Sequence, residues 1–295
     1  MGDLSESSPP DGFMFEYAES EVVVVDLLGS DIPTYVVPLM VQRGVDDDGR
    51  AEGSPFCIAS FTSGQAIFVT ARHVVECLYG HEDFRAFIVL PRGLDSDEAR
   101  LDPQPVPVQL VSPPPDSFSD VALLVVNVAD GPTPAYATHL EVSLGEPALG
   151  QDCVGLGYPQ EPERGTGQYI LCAATGVIEE VHPNRRDNAM STFPSFRTTG
   201  KYLHGMSGGP IIGANGRVIG VIAHGMDSPT TGYGACIAGI IELRVTLRGE
   251  DGTERKVQVA ELVSKRIIVD EPEHVELIRS PDGVVLNWRL GLTGC

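Results

Sequence analysis

His204-Gly205-Met206-Ser207-Gly208-Gly209-Pro210 sets a serine among glycines and closes on a proline. Glycine on both sides of Ser207 permits a tight turn with unusual φ/ψ, so the N–H groups of Gly205 and Ser207 can converge on one point. Nucleophilic acyl transfer asks for such a loop: a hydroxyl nucleophile, with N–H donors aimed at the oxyanion that develops beside it. Taken alone, the segment is also open to a Gly-rich hairpin loop with an incidental serine.

Two further stretches supply the partners a hydroxyl nucleophile needs, an imidazole to take its proton and a carboxylate to orient the imidazole. In Ile67-Phe68-Val69-Thr70-Ala71-Arg72-His73-Val74-Val75 a hydrophobic strand runs into a histidine, and the apolar residues after it start a helical turn. His73 is thereby expected at a strand end, where a cleft residue belongs. Ser119-Asp120-Val121-Ala122-Leu123-Leu124-Val125-Val126 places a carboxylate at the mouth of a buried strand. Each signal is weak by itself: a lone histidine is more often packed or on the surface, and aspartate commonly caps a turn before a strand.

Competing assignments have less behind them. Asp116 precedes Ser117-Phe118 rather than a strand, and His81, His139, His182 and His274 lack the context of His73. No HExxH, CxxC or EF-hand pattern occurs, so no metal and no cofactor is expected. Gly155-Leu156-Gly157 lacks the third glycine and following helix of a dinucleotide site.

Around these motifs, short β-branched runs recur between turn signals. They include Val22–Val25, Tyr35–Leu39, Cys57–Thr62, Ala66–Thr70, Ala86–Leu90, Val106–Val111 and Val121–Val126. After Asp130-Gly131-Pro132-Thr133-Pro134, read as a linker, they resume at Asp152–Gly155, Tyr169–Glu179, Ser195–Thr199, Pro210–Ile212, Val218–Ala223 and Gly234–Ile241. Such spacing predicts an all-β sandwich or barrel rather than βαβ units. The chain divides into a loose polar tail over 1–19, one β unit over 20–130, a second over 131–247, and an extension over 248–295. In that extension Val257–Ile268 reads as a short helix and residues 283–289 as a last strand.

Of 295 residues 42% are hydrophobic, enough for a real core, and 33 glycines with 23 prolines suit many turns. A net charge of −21 disfavours nucleic acid and anionic membrane surfaces as partners. No apolar run approaches the roughly 18 residues of a membrane helix. Met1–Asp11 has neither the basic nor the apolar region of a secretory signal. The six cysteines are dispersed, so free thiols and a cytoplasmic setting are expected, with Cys57 and Cys77 the one pair to suspect of bridging.

In combination the three motifs are specific. The chain resembles the trypsin-like serine peptidases, which share the order His, Asp, Ser, a T-A-x-H histidine motif, an Asp-Val/Ile-Ala-Leu-Leu motif and a GxSGGP loop. The resemblance spans about residues 35–245. It implies two six-stranded antiparallel β-barrels and a serine endopeptidase acting on proteins or peptides. His73 would then be the general base, Asp120 its orienting carboxylate and Ser207 the nucleophile, with the N–H groups of Gly205 and Ser207 as the oxyanion hole. Met206 stands where the animal digestive enzymes keep an aspartate for a freed N-terminus, and no Ile-Val-Gly-Gly sequence occurs. The chain is thus more similar to the bacterial branch that includes HtrA-like and glutamyl endopeptidases, with the loop ordered by packing or by an activating protein partner.

That resemblance also implies the substrate-binding residues. The S1 pocket would be walled by the segment holding Lys201, Tyr202 and His204, and by Ile222, Ala223, His224 and Gly225, which would also pair with the substrate backbone. Lys201 as the pocket base favours an acidic P1 residue. Tyr202 as the floor favours a small or medium apolar one, preferred here because a buried unpaired lysine is costly. A catalytically silent binding module, or an esterase or acyltransferase with the same triad, are the alternative functions. An α/β-hydrolase is excluded by the motif order.

Overall fold

The computed structural model describes residues 22–24, 35–44, 50–78, 83–90, 104–111, 119–128, 139–160, 171–187, 191–225, 231–249, 251–270, 275–279 and 285–290. Strand β1 (Val22–Val24) precedes two large antiparallel sheets. The first holds β2 (Leu39–Arg43), β3 (Arg50–Gly53), β4 (Phe56–Ser60), β5 (Gln65–Ala71), β6 (Phe84–Leu90), β7 (Gln104–Val111) and β8 (Val121–Asn127). Its spatial order is β3-β2-β6-β7-β8-β5-β4.

Strands β5 and β8 are apolar almost throughout and buried on both faces, which is why their sequences run continuously hydrophobic instead of alternating. Each buried Val or Leu contributes about 1.5–3 kcal/mol. They pair in unbroken register from Gln65↔Asn127 to Ala71↔Val121.

The second sheet holds β9 (Asp152–Gly157), β10 (Cys172–His182), β11 (Ser195–Thr198), β12 (Pro210–Gly213), β13 (Val218–Gly225) and β14 (Gly232–Cys236). Pairing runs β10-β11-β14-β13-β12-β9, and β9 returns to β10, so six strands close into a barrel. The all-β double-barrel expectation holds, with one difference in the first half. There seven strands form a curled sheet, joined across its gap by the lone bridge Val36↔Phe56 and by Val37 N–H donating to the Pro55 carbonyl at 2.9 Å. The Ser54-Pro55 turn parts β3 from β4, and Pro55 has no N–H with which to continue a ladder.

Several sequence expectations need correction. Val22–Val24, assigned to the first unit, pairs with β10 of the second sheet. A β-branched run specifies a strand but not its neighbour. Position 247, expected as the end of the second unit, lies inside β15 (Arg244–Arg248), which forms a hairpin with β16 (Glu254–Gln258). Val257, Val259, Leu262 and Ile268 all join the main core, so this part of the 248–295 stretch packs on the body. The helix expected over Val257–Ile268 is only Val259–Ser264, because Val257 is already committed to β16. Past Cys236 the expected strand becomes a 3₁₀ turn, Ile237–Glu242. The last strand is β18 (Val285–Leu290), paired with β17 (Val275–Arg279). The 1–19 tail and the Asp130–Pro134 linker lie outside the described residues.

Two apolar clusters underlie the site. The larger joins the first sheet to Leu156, Tyr158, Val221 and Ala223 of the second. The smaller fills the closed barrel with Cys153, Phe196, Tyr202, Met206, Ile211 and Ile222. Cys57, Cys153, Cys172 and Cys236 are free thiols, so Cys57 is not bridged to Cys77, and burial pushes the Cys57 thiol up to about 12.

Candidate active site

The register of β5 and β8 brings His73 to Asp120. With Ala71 opposite Val121, the next residue faces Asp120, and Arg72 N–H donates to the Asp120 carbonyl at 3.1 Å. The chain then turns into the short helix Arg72–Val75. Its second residue, His73, donates its backbone N–H to Asp120 Oδ1 at 3.0 Å, and His73 Nδ1 meets Asp120 Oδ2 at 2.8 Å. A carboxylate only accepts, so Nδ1 carries the proton and Nε2 keeps its lone pair. Asp120 is buried, while the imidazole is 42% exposed toward solvent. Burial pulls the His73 pKa down, but the hydrogen bond and charge of Asp120, with a smaller contribution from Glu76, outweigh it and hold the pKa above 6.5.

Ser207 lies against the same place. The Ser207 carbonyl and Val74, the residue after His73, both border Gly53, where a side chain would strike both. Gly208 presses on Thr70 and Ala71 at the end of β5, and its φ of +85° is left-handed, so glycine is required twice over. Ser207 Oγ donates to the Ala223 carbonyl at 3.5 Å. Among the described residues no hydrogen bond joins His73 to Ser207. The structure thus connects Asp120 to His73 and brings the serine loop against Val74 and the end of β5.

The carbonyls of residues 204–207 are each engaged. His204 O accepts from Gln160 N–H at 2.7 Å, Gly205 O from Ser54 Oγ at 2.8 Å, Met206 O from Gly209 N–H at 3.0 Å and Ser207 O from Ser54 N–H at 2.9 Å. By contrast the N–H groups of Gly205 and Ser207 have no partner among the described residues. Gly205 has φ of +92°, a conformation glycine adopts without strain. Met206 is fully buried in the barrel cluster, and its Sδ accepts from Leu203 N–H at 3.4 Å.

Residues 53–221 match the family model of the trypsin-like peptidase domain, more than half of the chain. The chain belongs to the trypsin-like peptidases. It is therefore a peptidase acting on protein or peptide bonds. No curated protein matches the chain. Among solved structures, the protease Rv3671c of M. tuberculosis in its active form is 22% identical, over 70% of this chain and 78% of that one, with a TM-score of 0.47. Its inactive form is 22% identical over 70% and 86%, at 0.44. Deg5 is 21% identical over 68% and 83%, also at 0.44.

In this trypsin-like peptidase domain the expected substrate residues divide. Tyr202 is buried in the closed barrel, with its ring close to Gly200 and against Gly155 and Gly232, where a Cβ would strike it. Thr198 Oγ1 donates to its hydroxyl at 3.1 Å. Lys201 is half-buried and His204 exposed. On β13, Ile222 and Ala223 are buried, and Gly225 pairs with Gly232. His224 stacks on Tyr233 with ring centroids 5.0 Å apart, and the Arg186 guanidinium lies 4.5 Å from the Tyr233 centroid. Burial, aided by the nearby His73 and Arg186, holds His224 below 6.5 against the pull of Asp120 and Asp187. Among the described residues no cluster of His, Cys, Asp and Glu gathers to hold a metal.

The sequence reading passed over Ser54, Arg186 and Tyr233. Nothing in a lone serine, arginine or tyrosine signals a site. Only folding sets them beside Gly205, Ser207 and His224.

Proposed function

We propose that this peptidase is a serine endopeptidase with His73 as general base, Asp120 as the carboxylate that orients it, and Ser207 as nucleophile. The observation that carries the reading is the double hold of Asp120 on His73, at 2.8 and 3.0 Å, beside a serine loop with two unspent N–H donors. Nε2 of His73 takes the Ser207 proton as Oγ turns from Ala223 and attacks the scissile carbonyl carbon. The N–H groups of Gly205 and Ser207 receive the negative charge that forms on the carbonyl oxygen. Nε2 then returns the proton to the departing amine, and water repeats the sequence on the acyl-enzyme.

Substrate enters as an added strand. Pairing of β12 with β13 ends at Val221, and the loop residues Gly208 and Gly209 take Ile222, which leaves the edge at Ala223–Gly225 open on that side. Tyr202 closes the floor of the P1 pocket, which makes it shallow and suits small or medium apolar side chains. The buried Met206 supports a loop held by packing, without a freed N-terminus.

The test is labelling by a fluorophosphonate probe together with peptide hydrolysis. The wild type should label at Ser207 and cleave, and Ser207→Ala should lose both, with turnover down about 10⁴–10⁶-fold. A wild type that neither labels nor cleaves is a silent binding module, and ester turnover without peptide turnover makes it an esterase.

A further inference from the structure

Ser54 sits in the turn between β3 and β4 with no exposed surface, and its N–H and hydroxyl both reach the serine loop. Its N–H donates to the Ser207 carbonyl at 2.9 Å, and its hydroxyl donates to the Gly205 carbonyl at 2.8 Å. The same oxygen accepts from Tyr158 N–H, also at 2.8 Å. One side chain thus spans the end of β9 and the serine loop, while its backbone belongs to the first sheet.

The carbonyls it holds belong to Gly205 and Ser207, the residues whose N–H groups are unspent. Peptide groups are planar, so fixing a carbonyl fixes the whole plane that contains it. Gln160 N–H fixes the plane from His204 to Gly205, which carries the Gly205 N–H, and Ser54 Oγ fixes the next plane, from Gly205 to Met206. With both planes set, Gly205 keeps its φ of +92° and its N–H keeps its direction. Packing leaves the clamp no slack: a Cβ on Gly157 would come within 3.0 Å of Ser54 Oγ and 2.8 Å of Met206 Cβ. The residue before the nucleophile is the uncharged Met206, so no ion pair at that position can do this work.

We propose that Ser54 is the positioning residue of the oxyanion hole, a neutral hydroxyl clamp reaching from the first sheet to set the Gly205 N–H for the transition state. This rests on the serine endopeptidase reading. Ser54→Ala leaves the Gly205 carbonyl and the Tyr158 N–H without their partner, and the loop is free to turn its N–H away.

The experiment compares full-length wild type with Ser54→Ala for kcat, KM, and affinity for a peptide boronate, whose tetrahedral oxygen occupies the hole. Removal of a direct oxyanion donor costs about 10²–10³-fold, so this indirect loss should lower kcat by about 10- to 100-fold. KM should stay within about threefold, and boronate affinity should fall in step with kcat while product-peptide affinity holds. A purely structural defect would not split kcat from KM in this way. Should Ser54→Ala not fold, Ser54→Cys takes its place, since a thiol is a weaker donor. A fall of about tenfold in its kcat supports the clamp, and a wild-type kcat overturns it, as does a wild-type kcat in folded Ser54→Ala. Hydrogen exchange in residues 203–209, measured in the Ser207→Ala background, reports on the clamp without turnover. Faster exchange on adding Ser54→Ala supports the clamp, and unchanged exchange overturns it. A wild type that does not label with fluorophosphonate sinks the endopeptidase reading by itself.

Discussion

Asp120 grips His73 with both carboxylate oxygens, Oδ2 on the ring Nδ1 at 2.8 Å and Oδ1 on the backbone N–H at 3.0 Å. The second bond anchors the first turn of the helix that carries the ring, so tautomer and orientation are set by one buried group. Asp120→Asn keeps the size but can present an N–H to Nδ1, which selects the wrong tautomer. A loss of about 10⁴ in kcat at neutral pH is expected, with little change in fold. A harmless Asp120→Asn in a steady-state assay would refute the role.

The pH profile follows from the same contact. His73 must be neutral to accept a proton, and Asp120 raises its pKa above 6.5. Activity, measured as kcat/KM, should therefore fall as pH drops, with a midpoint above 6.5. Asp120→Asn removes the main raising influence, so the midpoint of its residual activity should move down. Stability runs the other way. A folded pKa raised above the unfolded value stabilises fully below about 6.5, and the gain is lost as pH rises through the folded pKa. The urea midpoints of wild type and Asp120→Asn should draw closer over that range. A flat rate profile from pH 5 to 9 would contradict the mechanism.

Two glycines with similar backbone angles separate strain from contact. Gly208 has φ of +85° and lies against Thr70 and Ala71, whereas Gly216 has φ of +77° and open space around it. Gly216→Ala should cost roughly 1–2 kcal/mol, the left-handed penalty alone, and leave activity intact. Gly208→Ala should cost more and abolish turnover, because the added methyl forces the nucleophile loop off β5. Denaturant unfolding of both variants checks this, and equal losses would show that the contact does not matter.

Tyr202 sets the expected substrate profile. Cleavage of a peptide library should favour small or medium apolar P1 residues. Tyr202→Phe keeps the ring and loses the hydroxyl's bonds to Thr198 and Cys153, so it should cost about 1 kcal/mol in stability and leave the P1 profile unchanged. A wild-type preference for Asp or Glu at P1 would instead make Lys201 the pocket base.

What the sequence determined by itself is local. A glycine required at positive φ, an apolar run long enough to be buried on both faces, and an aspartate at the mouth of such a run all depend on near neighbours. They put His73, Asp120 and Ser207 forward as candidates, and they carried the all-β class. The tertiary structure decided who meets whom. Ser54 and Gly205 are 151 residues apart, and no feature of either names the other. Val22–Val24 reads as a strand in any context, and it was the open edge of β10 that claimed it. Tyr202 is an ordinary aromatic until Gly155, Gly200 and Gly232 leave the space its ring fills. A hydrogen-bonding or apolar group has the same composition wherever it lands, so its partner is fixed only by which backbone the fold brings within reach.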